Sequence, residues 1–178
     1  MSRKQFLIVV DMQKDFIDGA LGTPEAQAIV PAAAARIRAC REAGYTLIAT
    51  LDTHTEDYMN TPEGKKLPVP HCIRGTEGWR LNPIIEAELK GCAMVEKPTF
   101  GSVRLPELIR SQTVPEDEVT IELIGLCTDI CVVSNALLLK ASFPDAAIAV
   151  SPACCAGVTP EKHEAALETM RSCQVDML

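Results

Sequence analysis

Five consecutive apolar residues, Phe6-Leu7-Ile8-Val9-Val10, open the chain's folded pattern. A strand of that composition has no polar face to show to water, so it must be covered on both sides. Similar β-type runs recur at 46–51, 92–96, 119–124, 147–150 and 175–178. Between them lie segments with helical spacing. Residues 26–43 place Ile29, Ala33, Ile37 and Cys40 on one face and stop at Gly44. Further helices are expected at 82–90, 105–110, 132–140 and 160–172. Strict strand–helix alternation predicts a three-layer α/β/α, doubly wound, mainly parallel sheet, with residues 1–178 forming one domain. In such folds ligands gather beyond the carboxyl ends of the strands.

Composition narrows the partners. The net charge is −7 and no basic stretch interrupts it, which argues against nucleic acid or an anionic membrane. The longest apolar run is far short of a membrane span, and Arg3-Lys4-Gln5 ahead of Phe6 is no signal-peptide core. Eight cysteines without a Cys-x-x-Cys pair, set in apolar surroundings, fit a reducing cytoplasm better than a disulfide scaffold.

Strand ends select three residues. Asp11 follows the first strand, Lys97 the third, and Cys131 comes just after the strand at 119–124. Gly125 provides the freedom for a sharp turn there, and Thr128 and Asp129 are helix-capping residue types. Cys131 would then sit in the first helical turn, where the helix dipole is expected to lower its pKa and make it partly thiolate near neutral pH. Taken singly, Asp11 could merely begin a turn, Lys97 could be a surface lysine and Cys131 a packed one. Their joint placement favours chemistry. A second group, Asp52-Thr53-His54 with His71 behind Pro70, lies in a long irregular stretch at 52–80, the kind of loop that usually serves function.

Three stretches together resemble the signatures of isochorismatase-like cysteine hydrolases, nicotinamidases among them: Val10-Asp11-Met12-Gln13-Lys14-Asp15-Phe16, Glu96-Lys97-Pro98-Thr99-Phe100-Gly101-Ser102 and Gly125-Leu126-Cys127-Thr128-Asp129-Ile130-Cys131-Val132. The likeness spans nearly the whole chain. It implies a catalytic triad of Asp11, Lys97 and Cys131, a cis peptide between Leu126 and Cys127, and an oxyanion hole from the backbone N–H groups of Cys127 and Cys131. It also implies one divalent metal ion held by Asp52, His54, Glu63 and His71. Glu63 stands one residue farther from His71 than in the nicotinamidases it resembles, and Asp57 is the competing carboxylate. Mixed nitrogen and oxygen donors suit zinc first, with manganese or iron as alternatives. Gln13, Phe16 and Phe100 are expected to line the substrate pocket. One departure stands out: nicotinamidases of this kind carry an aromatic residue shortly before the last histidine, where this chain has Leu67-Pro68-Val69-Pro70. Phe16, Phe100 or Trp79 would have to supply the aromatic wall. His163 and the Cys154-Cys155 pair read as packing residues.

The resemblance thus implies a cytoplasmic, homo-oligomeric amidohydrolase that deamidates nicotinamide through a thioester. The alternatives are a metal-independent hydrolase of another small amide, such as an N-carbamoyl or ureido compound, and a non-catalytic binding relative of the same fold.

Overall fold

The computed structural model describes residues 2–178; Met1, the first residue of the expected domain, lies outside them. In chain order come β1 (Arg3–Val10), α1 (Lys14–Ile17), α2 (Pro24–Ala28), α3 (Val30–Glu42) and β2 (Thr46–Asp52). A 3-10 turn at Tyr58–Asn60, α4 (Pro62–Lys66) and α5 (Pro83–Glu88) then lead to β3 (Ala93–Lys97) and α6 (Arg104–Arg110). β4 (Glu118–Leu126) runs into a π-type turn at Thr128–Val132 and α7 (Val133–Ser142). β5 (Ala147–Ala156), α8 (Pro160–Ser172) and β6 (Asp176–Met177) complete the chain.

The strands form a six-stranded sheet in the order β3-β2-β1-β4-β5-β6, with every pairing parallel. Side chains alternate between its faces. Leu7, Val9, Leu47 and Ala49 pack on one side against Ala33 and Ile37 of α3 and Ile85 of α5. Phe6, Ile8, Ile121 and Leu123 pack on the other against Leu105 of α6, Ala136 of α7 and Leu167 of α8. The expected three layers are therefore present. Crossovers from β1 run outward through β2, while those from β4 run the other way through β5. The order reverses between β1 and β4, which opens a crevice at their carboxyl ends. No helix among the described residues is long and apolar enough to cross a membrane.

Several boundaries differ from the sequence reading. The helix expected at 26–43 is two helices. Pro31, in the first turn of α3, has no N–H to continue a ladder from α2, and the break falls at Ile29. α2 itself starts at Pro24, where Thr23 Oγ1 accepts from Ala26 N at 3.0 Å. β5 continues to Ala156 despite Pro152, because the pairing with β4 shifts register between Leu123 and Gly125 and skips the proline. Glu122 interrupts the apolar pattern of β4, yet it is fully paired. It accepts from Arg36 of α3 at 2.6 and 2.7 Å and from Ser151 Oγ at 2.6 Å, fastening helix and sheet across a buried carboxylate.

β1 and β4 pair at Val10 and Gly125, and Gly125 has φ +119°. A Cβ there would lie 2.1 Å from the Val10 carbonyl oxygen. Gly125→Ala is expected to cost roughly 3 kcal/mol or more in chemical denaturation, since both the clash and the backbone conformation oppose it. A loss of only a few tenths would show that the strands can separate here freely.

Candidate active site

Register brings the sequence-selected residues together. Val10 pairs with Gly125, so Asp11 and the Leu126-Cys127 segment leave the sheet side by side. Asp52 pairs with Lys97 across β2 and β3. Asp11 adopts φ 48°, turning the chain as it leaves β1, and its N–H donates to Thr50 O at 3.2 Å. Asp11 and Lys97 are buried, and Lys97 Nζ lies 2.6 Å from Asp11 Oδ2 and 3.3 Å from Cys131 Sγ. It also donates to Thr99 O at 3.1 Å and stands 3.6 Å from Asp52 Oδ1. Thr50 Oγ1 donates to Asp11 Oδ1 at 2.6 Å, while Oδ2 receives no aligned hydrogen bond and meets only the ammonium charge. That oxygen keeps acceptor capacity beside the thiol.

The electrostatics follow from burial. Burial alone would strip Lys97 of its proton, but the anionic forms of Asp11, Cys131 and Asp52 more than offset this and hold it as an ammonium. Burial raises the Asp11 pKa, opposed but not reversed by Lys97, which makes Asp11 a stronger base than a free carboxylate. Burial also pushes the Cys131 thiol well above its ordinary value, and Asp11 adds to this against the pull of Lys97.

The expectation of a dipole-lowered, partly ionised Cys131 is therefore corrected. The resting group is a thiol beside a base. The local structure explains the difference. Cys131 lies in a π-type turn with no side-chain cap, where Val132 N donates to Cys127 O at 3.1 Å. Thr128 and Asp129 do not cap it. Thr128 Oγ1 pairs with His163 Nδ1 at 2.8 Å, and Asp129 Oδ1 accepts from Val158 N at 2.9 Å, so both tie the turn to α8 and its approach. His163 thus braces the turn that carries Cys131, beyond the packing role read from sequence. The Leu126–Cys127 peptide is cis, as the resemblance implied.

Asp52, His54 and His71 offer donor atoms within 4.8 Å of one another. His54 Nε2 lies 3.0 Å and His71 Nε2 3.4 Å from Asp52 Oδ2, with Glu63 Oε1 at 3.8 and 3.7 Å from the same nitrogens. His71 Nδ1 donates to Val69 O at 2.8 Å, which turns Nε2 toward Asp52 as the nitrogen that could ligate a metal once it is unprotonated. Burial would raise Asp52, but hydrogen bonds from both histidines and the charge of Lys97 hold it well below the usual carboxylate range. Buried imidazoles facing a carboxylate, with a second carboxylate at the edge, form a mixed nitrogen and oxygen donor set suited to a borderline divalent ion. Asp57 is exposed and accepts from Asn60 Nδ2 in its own turn, so Glu63 is the carboxylate at this corner.

A cavity of about 600 Å³ adjoins both groups and is lined in part by Cys127, Cys131, Asp52, Glu63, His71 and Phe16. Phe100 also lines it, as expected. Gln13 does not. Its amide nitrogen donates to Asp52 O and Trp79 O, both at 2.8 Å, and its oxygen accepts from Asp52 N at 2.8 Å, so the side chain is a buried brace of the Asp52–His54–His71 corner. Trp79 likewise turns its indole N–H to Thr53 Oγ1 at 2.9 Å and lies off the cavity wall.

Three residues escaped the sequence reading. Thr50 supports Asp11, and its one signal was a hydroxyl in an otherwise apolar strand. Asn135 donates to Cys131 O at 2.8 Å and Phe100 O at 3.2 Å and accepts from Ser102 N at 2.9 Å, joining the nucleophile's turn to the loop after β3. Tyr58 sets its ring 4.8 and 5.0 Å from the His54 and His71 rings, edge to face. Long-range contacts of this kind carry no local sequence signal.

The charge arrangement fixes the sign of a titration. Asp11 raises the Cys131 pKa and Lys97 lowers it. Asp11→Asn should therefore lower the thiol pKa, and Lys97→Met should raise it. Thiolate absorbance, taken as a difference from Cys131→Ala, reads both; a fall in Lys97→Met would contradict this electrostatic picture.

Known proteins bear on this geometry. A family profile described as the isochorismatase domain matches residues 5–178. The nicotinamidase/pyrazinamidase of Mycobacterium tuberculosis is 27% identical over 186 residues, covering 97% of each chain. The zinc complex of pyrazinamidase from Pyrococcus horikoshii superposes with a TM-score of 0.81 at 26% identity over 98% of each chain. N-carbamoylsarcosine amidase from Thermoplasma acidophilum superposes at 0.78, 27% identical, over 98% of this chain and 95% of its own. With the profile spanning nearly the whole sequence, the chain belongs to the isochorismatase family of hydrolases, with nicotinamidase/pyrazinamidase relatives.

Proposed function

We propose that this protein is a cysteine amidohydrolase whose leading substrate is nicotinamide, released as nicotinate and ammonia. The observation that carries this reading is the Lys97 ammonium, buried 2.6 Å from Asp11 and 3.3 Å from Cys131 behind the wall of an open cavity. As Cys131 Sγ attacks the carboxamide carbon, its proton passes to Asp11. Lys97 stays charged and steadies the carboxylate and then the thiolate. The developing oxyanion is met by the backbone N–H groups of Cys127 and Cys131, each worth roughly 3–4 kcal/mol in comparable sites. Asp11 returns the proton to the leaving nitrogen, ammonia departs and a thioester remains. Water, deprotonated by Asp11, then attacks the thioester carbon, and the carboxylic acid leaves as Cys131 regains its proton.

Asp52, His54, Glu63 and His71 would hold a divalent ion, zinc by donor type, and when bound it supplies a Lewis-acidic contact suited to a neutral pyridine nitrogen. Phe16 and Phe100 offer the aromatic surface that the Leu67-Pro68-Val69-Pro70 segment lacks. That aliphatic segment is also what favours a second reading, hydrolysis of an N-carbamoyl compound. Eight free thiols suit the cytoplasm.

Ammonia release decides between these readings. Cys131→Ala should abolish turnover and Cys127→Ala should be mild, because only the Cys127 backbone is used. Asp11→Asn should lose about 10²–10⁴-fold. Nicotinamide should be hydrolysed at least about tenfold faster than benzamide, which lacks the ring nitrogen. His54→Ala and His71→Ala should lose metal by elemental analysis and narrow that ratio. Equal rates on the two amides with a metal-free wild type would remove nicotinamide as the substrate.

A further inference from the structure

The cavity is larger than a single-ring carboxamide needs, and its charges are unevenly placed. At about 600 Å³ it falls in the range of sites that enclose drug-sized ligands. Its two acids, Asp52 and Glu63, both belong to the metal corner. The two lysines on its wall, Lys66 from the end of α4 and Lys162 from the start of α8, are exposed and come from separate elements. Neither forms an ion pair among the described residues, although Glu63 sits one helical turn before Lys66 and Glu161 directly beside Lys162. Much of the remaining lining is apolar, with Leu67, Phe100, Ile130 and Val158 among it. On a chain of net charge −7, two exposed lysines lining one cavity without an ion pair among the described residues run against the surrounding field.

We infer that, beside nicotinamide, the cavity takes a second substrate class, an elongated primary amide with an apolar middle and an anionic far end, a carboxylate or a phosphate-type group, which Lys66 and Lys162 receive while the amide lies over Cys131. This rests on the amidohydrolase reading and deepens it. The apolar middle matches the lining, and the anion restores charge balance at the two lysines. An exposed ion pair is individually weak because water screens it, so the two lysines act as a selectivity filter more than as an anchor.

The test is a ladder of dicarboxylic monoamides from succinamate to suberamate. Each is assayed on the intact protein beside the neutral unbranched amide and the ω-amino amide of the same length. At the best length the anionic amide should exceed its neutral counterpart in kcat/KM by roughly two- to thirtyfold, mainly through KM, and the gap should shrink with added salt. ω-Phosphono amides of the same lengths distinguish a phosphate-type from a carboxylate tail. Lys66→Gln with Lys162→Gln should bring the anionic-to-neutral ratio near unity, and Lys66→Glu with Lys162→Glu should shift preference to the ω-amino series. A ratio at or below unity at every length, with neutral amides still hydrolysed, overturns this inference alone. So does a ratio unchanged in the double glutamine variant. Hydrolysis of no amide at all overturns the amidohydrolase reading and this one with it.

Discussion

A single ammonium group, buried where two carboxylates and a thiol converge, is the interaction on which the rest depends. Lys97 ends β3, and its side chain reaches Asp11 at 2.6 Å and Cys131 at 3.3 Å. Removing such a charge from water costs several kcal/mol unless partners replace the hydration. Asp11, Asp52 and the thiol do so together, which explains why all of them sit at strand ends within one crevice. The sheet order makes this possible: β1 lies between β2 and β4, so the ends of β1 and β4 and the side chain from β3 share one floor. Without the lysine, Asp11 and Asp52 would repel each other in a dry site, and a thiolate would have no counter-charge.

The same constraint separates two tasks that share one cavity. In the proposed mechanism Cys131 and Asp11 form the proton-transfer pair. Asp52 belongs to both sides: one oxygen faces Lys97 at 3.6 Å, and the other faces the two histidines at 3.0 and 3.4 Å. Asp52 therefore couples the charge of the lysine to the donor set of the metal corner. Gln13 holds the Asp52 backbone by both its N–H and its C=O, so the coupling residue is itself fixed in place. Tyr58 and the Val69 carbonyl fix the imidazole rings from behind.

Much of this was legible in the chain, because strand ends are local features. Apolar runs mark the strands, and the rule that ligands collect at their carboxyl ends singles out Asp11, Lys97 and Cys131 before any coordinates. The Asp52-Thr53-His54 group and His71 were legible as an Asp-x-His pair and a later histidine in one long irregular loop at 52–80. What escaped depends on contacts across the fold. Thr128 and Asp129 have the composition of a helix cap, yet α8 and the segment before it claim their side chains, and a π-type turn replaces the expected helical start. The thiol pKa was misjudged with it, since the dipole argument assumed a partly solvated helix end while the real group is buried. Gln13 lies within a signature stretch, and only the structure shows its amide bound to backbone and turned away from the cavity. Pro31 gave a local warning that the helix at 26–43 would break.

The central claim is that Cys131 carries the acyl group during turnover. Rapid acid quench during nicotinamide hydrolysis, followed by proteolysis and mass spectrometry, tests it most directly. The account predicts a nicotinoyl adduct on the peptide bearing Cys131, localised to that sulfur, and no such adduct in Cys131→Ala. Turnover at the wild-type rate with the acyl group on Cys127, or on no cysteine at all, would contradict it.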